Sequence, residues 1–282
     1  MKILTFDIEE WFHILDNDST KTVKEWSNYE TRIHSNMDRI FDLLKKSNHT
    51  ATFFIVGWIA ENYPEVVKRI DEYGYDIGSH TNMHQLMYDQ TRNEVREDIY
   101  KSINILQSIT GKKVNSFRAP GFSIKEKNKW VFEILAENGI THDSSIFPAG
   151  RAHGGFPSYS KAEPSIIEMN GQKIKEFPIN TASILGKKWI YSGGGYFRLT
   201  PYNLIYHWTK SSDYIMTYFH PRDFDPDQPI IKELSASRKF KSYVGLKNCM
   251  NKLEKWTSDF EFIDLKVADS LIDWKKAPVV KL

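Results

Sequence analysis

The sequence is short of cysteine, of net charge and of long apolar runs, and each shortage removes a class of protein. Cys249 is the only cysteine in 282 residues, so no disulfide forms within the chain. It lies in a stretch that reads as helix, Val244 to Trp256, where a buried and inert thiol is expected. Basic and acidic residues nearly cancel, leaving a formal charge of +2, and the one-signed field of a nucleic-acid binder is missing. No apolar stretch reaches the roughly 18 residues of a membrane span. The N-terminus has one lysine before an apolar strand broken by Asp7, which is not the pattern of a signal peptide, so the cytoplasm is the expected location. Charged residues at 26% and aromatics at 14% describe a mixed surface and a well-filled core, and the aromatics would equally suit a cleft that stacks on sugar rings.

Strand and helix signals alternate. Strand-like runs are Ile3–Ile8, Thr50–Val56, Asp76–Ser79, Val114–Arg118, Ile140–Asp143, Tyr214–Phe219 and Phe260–Asp264. Thr91 with Glu94, and Ser123 with Glu126, have capping-box spacing for helix starts. After the first, Val95, Ile99, Ile103 and Leu106 recur at helical intervals and form one apolar face. Repeated β-α units predict an α/β fold with a largely parallel sheet, open or closed into a barrel. Asn170-Gly171, between two alternating runs from Ile166 to Phe177, signals a β-hairpin inserted into that pattern. No repeat, low-complexity tract or linker marks a boundary, so one domain over 1–282 is expected.

Chemistry-bearing residues gather where strands end. In "TFDIEEWF", strand alternation puts Asp7 and Glu9 on one face, a repulsive arrangement unless a cation or a positioned base gives it a purpose. "GSHTNMH" follows a strand and spaces His80 and His84 four apart, as two imidazoles stacked on a helical turn would be. Two histidines and a carboxylate supply three ligands to one metal ion and leave a position open, as in catalytic sites. Arg118, in "FRAPGFS", would be costly near a core strand without a carboxylate partner. Asp143 in "HDSSIF" and His220 in "YFHPRDFDP" end further strands. In parallel α/β folds these ends converge on one face.

In order, "TFDIE", "SHTNMH", "FRAPGF", "HDSS" and "YFHP" resemble the five motifs of the polysaccharide deacetylases, carbohydrate esterase family four. "GGGYFRLTP" and "FHPRDFDP" resemble a bacterial subgroup associated with exopolysaccharide and capsule assembly. The resemblance spans about Thr5 to His220. It implies an incomplete or distorted (β/α)7-8 barrel and a metal-dependent sugar N-deacetylase. It also implies that Asp7 is the general base, oriented by Arg118, and that His220 is the general acid, supported by Asp143. The oxyanion would meet the backbone amide of Gly121.

The first motif departs from the common pair of adjacent aspartates, because Ile8 follows Asp7; Glu9, beside Asp7 by strand alternation, is the candidate ligand with His80 and His84, and Glu10 should face away. Thr217 replaces the usual leucine of the last motif, which would reshape the apolar wall around the substrate methyl group.

The resemblance implies one divalent ion, zinc first and cobalt, nickel or iron as alternatives. The implied substrate is an N-acetylated sugar, whether nucleotide-linked, lipid-linked or polymeric. Rival readings are a deformylase or other amidohydrolase, a ferrous oxygenase, and a catalytically dead carbohydrate-binding protein. Outside the proposed site stand His13 and His153, which could line the cleft but read as exposed or capping histidines, the run Gly193 to Gly195, which lacks phosphate-loop spacing and reads as a tight turn, and Arg198 and Arg222, which could meet a phosphate on a carrier-linked sugar.

Overall fold

A computed structural model describes residues 1–15, 22–150, 154–159, 161–184 and 187–282; His153 lies outside them. Among these residues the strands in chain order are β1 Lys2–Ile3, β2 Thr5–Ile8, β3 Thr52–Ile55, β4 Asp76–Ser79, β5 Ser116–Phe117, β6 His142–Asp143, β7 Ser165–Met169, β8 Gln172–Glu176, β9 Ala182–Ile184, β10 Lys187–Trp189, β11 Ile215–Met216 and β12 Val279–Lys281. Eight form the main sheet, in the order β12-β7-β8-β6-β5-β4-β3-β2. Pairing is parallel throughout except between β7 and β8. Every residue of β2 and β3 is buried. Strands covered on both faces read as continuous apolar runs, which is why this part of the sheet was visible in the sequence.

The sheet curls into a distorted barrel. At its β2 edge, β1 pairs with β11, and Phe6 bridges to Phe219 in the same parallel sense. Gly193 then bridges to Tyr218. A Cβ on Gly193 would lie 2.0 Å from the Tyr218 carbonyl oxygen, so a side chain is excluded there by backbone pairing and not by any ligand. Side chains join the segment after β8 to β11: Met216 N donates to Asn180 Oδ1 at 3.1 Å and Tyr214 Oη to the Pro178 carbonyl at 2.8 Å.

Local rules explain the helices that matter here. Helix Arg92–Thr110 starts at the Thr91–Glu94 capping box and buries Val95, Ile99, Ile103 and Leu106. The second expected box does not form. Ser123 Oγ instead accepts from Met87 N at 3.0 Å, and the helix that follows is Val131–Glu137. Cys249 is buried, as expected, but its helix is Cys249–Asp259, because the chain at Val244 is extended and Gly245 turns left-handed.

Two strand expectations change. Asn170 and Gly171 have positive φ, as a tight hairpin turn demands; the hairpin is not an appendage, since β8 pairs with β6 inside the main sheet. Among the described residues Phe260–Asp264 makes a single bridge, Ile3 to Ile263, and Asp264 caps helix Leu265–Leu271 by accepting from Val267 N at 2.7 Å.

Candidate active site

The three acids of "DIEE" have three different partners. Asp7 Oδ1 accepts from Arg118 Nη1 at 2.7 Å. Glu9 Oε2 lies 2.6 Å from His84 Nε2. Glu10 turns away, as expected, and its Oε1 accepts from Arg32 N at 2.8 Å and Ile33 N at 3.0 Å, capping helix Ile33–Ser47.

Arg118 is fully buried, and its five donors meet five acceptors. Besides Asp7, Nη1 donates to Thr5 Oγ1 at 2.7 Å, Nη2 to Ser144 Oγ at 2.9 Å and the Thr217 carbonyl at 3.3 Å, and Nε to the Ser144 carbonyl at 3.2 Å. The guanidinium also lies 4.4 Å from the centre of the Phe54 ring. One side chain therefore joins β2, the β11 region and the loop after β6, and leaves Asp7 Oδ2 unengaged by the arginine.

His80 and His84 converge through a loop and not through a helical turn. Thr81 and His84 have positive φ, which bends the chain so that the rings sit 5.1 Å apart. Asp98, on helix Arg92–Thr110, holds the loop by accepting from Asn82 N at 2.7 Å and Met83 N at 2.9 Å. His80 Nδ1 is 2.7 Å from the Arg118 carbonyl. A proton on that nitrogen leaves Nε2 as a lone-pair donor, the usual outer-shell arrangement for a metal ligand.

The donor atoms of Glu9, His80 and His84 all lie within 4.8 Å of one another, and all three residues are buried. Glu9 Oε2 is buried, and among the described residues no partner besides His84, 2.6 Å away, reaches it. A buried carboxylate oxygen left so, facing imidazole nitrogens, fits a divalent cation and the two-nitrogen, one-oxygen donor set of a catalytic zinc-type site. Burial opposes charge on Glu9, but His84 and His220 outweigh it and hold the carboxyl below its usual range. Burial pushes His80 down to about 4, so its ring is neutral and able to ligate.

His220 enters from the segment after β11. Its Nε2 lies 3.9 Å from Asp7 Oδ2 and 4.0 Å from Glu9 Oε1. Burial works against its protonation, yet Glu9 and then Asp223 raise its pKa above the ordinary value. Asp223, not Asp143, is its partner: Asp223 Oδ2 lies 3.0 Å from His220 Nδ1 and accepts from His220 N at 2.9 Å. Asp143 is occupied elsewhere. Its two oxygens take Ser145 Oγ at 2.7 Å and Ser145 N at 2.9 Å, and Ser145 Oγ accepts from Ala119 N at 2.8 Å. The residue thus braces the strand end that leads into Pro120 and Gly121. Burial raises the Asp143 pKa, and with it that of its carboxyl neighbour Glu176.

Gly121 lines the cavity together with Asp7, Glu9, His80, His84 and His220. The cavity holds about 150 Å³. Thr217 does not line it; its hydroxyl accepts from Thr5 N at 2.8 Å in the β2–β11 seam. Phe122 and Tyr218 form the apolar wall instead, edge to face at 5.2 Å. His13 is neither exposed nor a cap: buried between Trp26 and Trp58, it lines the cavity, stacked on His84 at 5.7 Å. Burial, then the charge of His84, pushes it down to about 3.

Arg198 faces the interior, donating to Asp223 Oδ1 and to the carbonyls of Val244, Lys241 and Ser242. Asp223, Arg222 and His13 were not placed in the site from sequence. The spacing His220-x-x-Asp223 was the available signal for Asp223, since three residues bring a carboxylate back to the ring across one tight turn.

Fold and side chains together give an α/β barrel that gathers one carboxylate and two imidazoles, Glu9, His80 and His84, in one buried cluster. Residues 4–142 match the family model described as polysaccharide deacetylase. Residues 144–269 match a model described as a domain of unknown function. The chain is 38% identical over 96 residues to a peptidoglycan-N-acetylglucosamine deacetylase of Bacillus cereus, covering 34% of this chain and 35% of the relative. It is 33% identical over 82 residues to a chitooligosaccharide deacetylase of Azorhizobium caulinodans, covering 29% and 39%. The chain thus spans little more than a third of these relatives. A Mycobacterium smegmatis crystal structure assigned to the polysaccharide deacetylases aligns over 99% of this chain and 92% of its own, with a TM-score of 0.67 and 15% identity, which shows a shared fold. No helix among the described residues is long and apolar enough to cross a membrane.

Proposed function

We propose that this chain is a metal-dependent hydrolase that removes an N-acetyl group from an amino sugar in a glycan or glycan precursor. The supporting observation is that the Glu9–His80–His84 donor set shares one cavity with a carboxylate held by an arginine, Asp7, and an imidazole held by a carboxylate, His220. The named activities of the relatives, on peptidoglycan and chitooligosaccharides, favour an N-acetylated sugar, and the "GGGYFRLTP" and "FHPRDFDP" segments favour a role in exopolysaccharide or capsule assembly.

Glu9, His80 and His84 would hold the ion, with zinc the preferred occupant. Such an ion supplies Lewis-acid polarisation of the amide carbonyl and lowers the pKa of water. Asp7 then acts as the general base. Arg118 takes Oδ1 and fixes the carboxylate, so that Oδ2 receives the proton of the attacking water. His220 carries its proton on Nε2, facing the cavity, and delivers it to the departing amine, while Asp223 holds Nδ1. Gly121, which lines the cavity, would offer its backbone N–H to the oxyanion, and Asp143 braces the preceding strand end through Ser145.

We assign 1–282 to a single catalytic unit. Asp7, Glu9, His80, His84 and Arg118 fall in the first matched segment and His220 and Asp223 in the second, while β8 of the second pairs with β6 of the first.

Metal content by mass spectrometry, with acetate release from N-acetylated glycans before and after chelation and zinc restoration, tests this reading. One ion per chain with release abolished by chelation and regained with zinc is expected. Failure to retain a divalent ion after loading would refute it.

A further inference from the structure

We propose that Arg222 recognises an anionic oxygen group, a carboxylate or a phosphate, carried on the sugar that enters the cavity. The inference rests on the hydrolase reading above and adds the class of substrate.

Arg222 lines the same cavity as Glu9, His80, His84 and His220. Its guanidinium is held in place: Nε donates to Gln228 Oε1 at 3.1 Å, and Gln228 Nε2 is itself fixed on the Arg222 and Asp225 carbonyls at 2.7 and 2.8 Å. The group sits 5.8 Å from the centre of the Tyr243 ring, whose hydroxyl is anchored between Ile231 N at 2.9 Å and the Pro229 carbonyl at 3.2 Å. Yet Nη2 is buried and has no hydrogen-bond partner among the described residues.

Of the carboxylates near it, Glu9 belongs to the candidate metal donor set and two others have partners of their own. Asp223 gives Oδ1 to Arg198 and Oδ2 to His220, and Asp225 pairs with Arg32 and Arg39. Arg222 therefore has no ion pair among the described residues, while Arg198 adds a like charge nearby. Arg238 brings a further guanidinium to the cavity wall, with Nη2 donating to the Leu15 carbonyl at 2.7 Å.

A guanidinium withdrawn from water without an acid is costly, and an incoming oxyanion offsets that cost. The planar fork of arginine matches carboxylate and phosphate oxygens, and here it is already oriented by Gln228 and Tyr243, so little freedom is lost on binding. A neutral hydroxyl would satisfy one donor and leave the charge unmatched.

Titration calorimetry on the full, zinc-loaded chain tests the proposal with three probes that share an N-acetylated ring. These are N-acetylglucosamine, its 1-phosphate, and N-acetylmuramic acid, which bears a carboxylate. At least one anionic probe should bind about ten- to a hundredfold more tightly than the neutral one. Arg222→Gln should bring that preference to within about twofold, and Arg222→Lys should keep part of it. Which anionic probe wins identifies carboxylate or phosphate as the source. Thermal melts check that the variants fold; if Arg222→Gln does not, loss of geometry in Arg222→Lys and competition of inorganic phosphate with the neutral probe in the unaltered protein decide. Equal affinity for neutral and anionic probes, no binding of either anionic probe at millimolar concentration, or an undiminished preference in a folded Arg222→Gln protein overturns the proposal. Acetate release, followed separately on N-acetylated glycans, reads the hydrolase assignment. Anion preference without release refutes that assignment alone, and release without preference refutes only the anion site.

Discussion

Replacing Arg118 by methionine should cost a large part of the stability of the barrel interior. The arginine's five donors are matched to Asp7, Thr5, Ser144 twice and Thr217 at 2.7–3.3 Å, with no solvent exposure. Methionine fills much of the volume but leaves the Asp7 carboxylate buried without its cation. Breaking a buried pair in this one-sided way costs about 3–5 kcal/mol, a large part of the roughly 5–15 kcal/mol that a folded protein has. Asp7→Asn removes the stranded charge, so adding it to Arg118→Met should recover about 1–3 kcal/mol relative to additive behaviour. Arg118→Lys keeps the charge but loses two of the five donors, and at about 1 kcal/mol for each lost bond it should fall about 2 kcal/mol below wild type. Urea unfolding of the four variants, analysed as a double-mutant cycle, is the assay. A cost below about 1 kcal/mol for Arg118→Met, or a coupling within about 0.5 kcal/mol of zero, would show that the network does not carry the interior, and the reasoning would fail.

Asp7→Asn should retain the metal while lowering kcat by about 10²–10⁴, as for loss of a general base, whereas His84→Ala should lose metal and turnover together; equal metal loss in both would misassign Asp7. Asp223→Asn should lower kcat by about a hundredfold with little change in KM, through loss of the carboxylate on His220 Nδ1. Asp143→Asn should act mainly on the melting temperature, and the opposite pattern would restore Asp143 as the histidine's partner. Acid stability gives a further check. Burial opposes ionisation of Asp225, but Arg32 and Arg39 hold its pKa below the ordinary value, so its contribution is complete above about pH 4 and is lost as pH falls through the depressed folded value. Melting temperatures of wild type and Arg32→Gln should therefore differ at pH 6 and converge below pH 4; a constant gap would exclude this linkage.

Elements whose signals are local could be read directly along the chain. Continuous apolar runs marked β2 and β3, the Thr91–Glu94 box marked the start of its helix, and Asn170-Gly171 marked the hairpin turn, because alternation, capping and positive φ act over a few residues. The residues at strand ends were legible as chemistry for the same reason, since a parallel β-α pattern brings such ends to one face before any contact is known. Contacts were decided only by the tertiary structure. His80 and His84 meet through two left-handed residues braced by Asp98, not through a helical turn. His220 finds Asp223 three residues away, whereas Asp143, one strand end along, bonds to Ser145. Which carboxylate an imidazole reaches depends on loop curvature and on competing donors such as Arg198, which close in space while far apart in the chain. The strand read at Phe260–Asp264 dissolved on the same ground: its apolar alternation found a single bridge partner among the described residues, and Asp264 was better used capping the next helix.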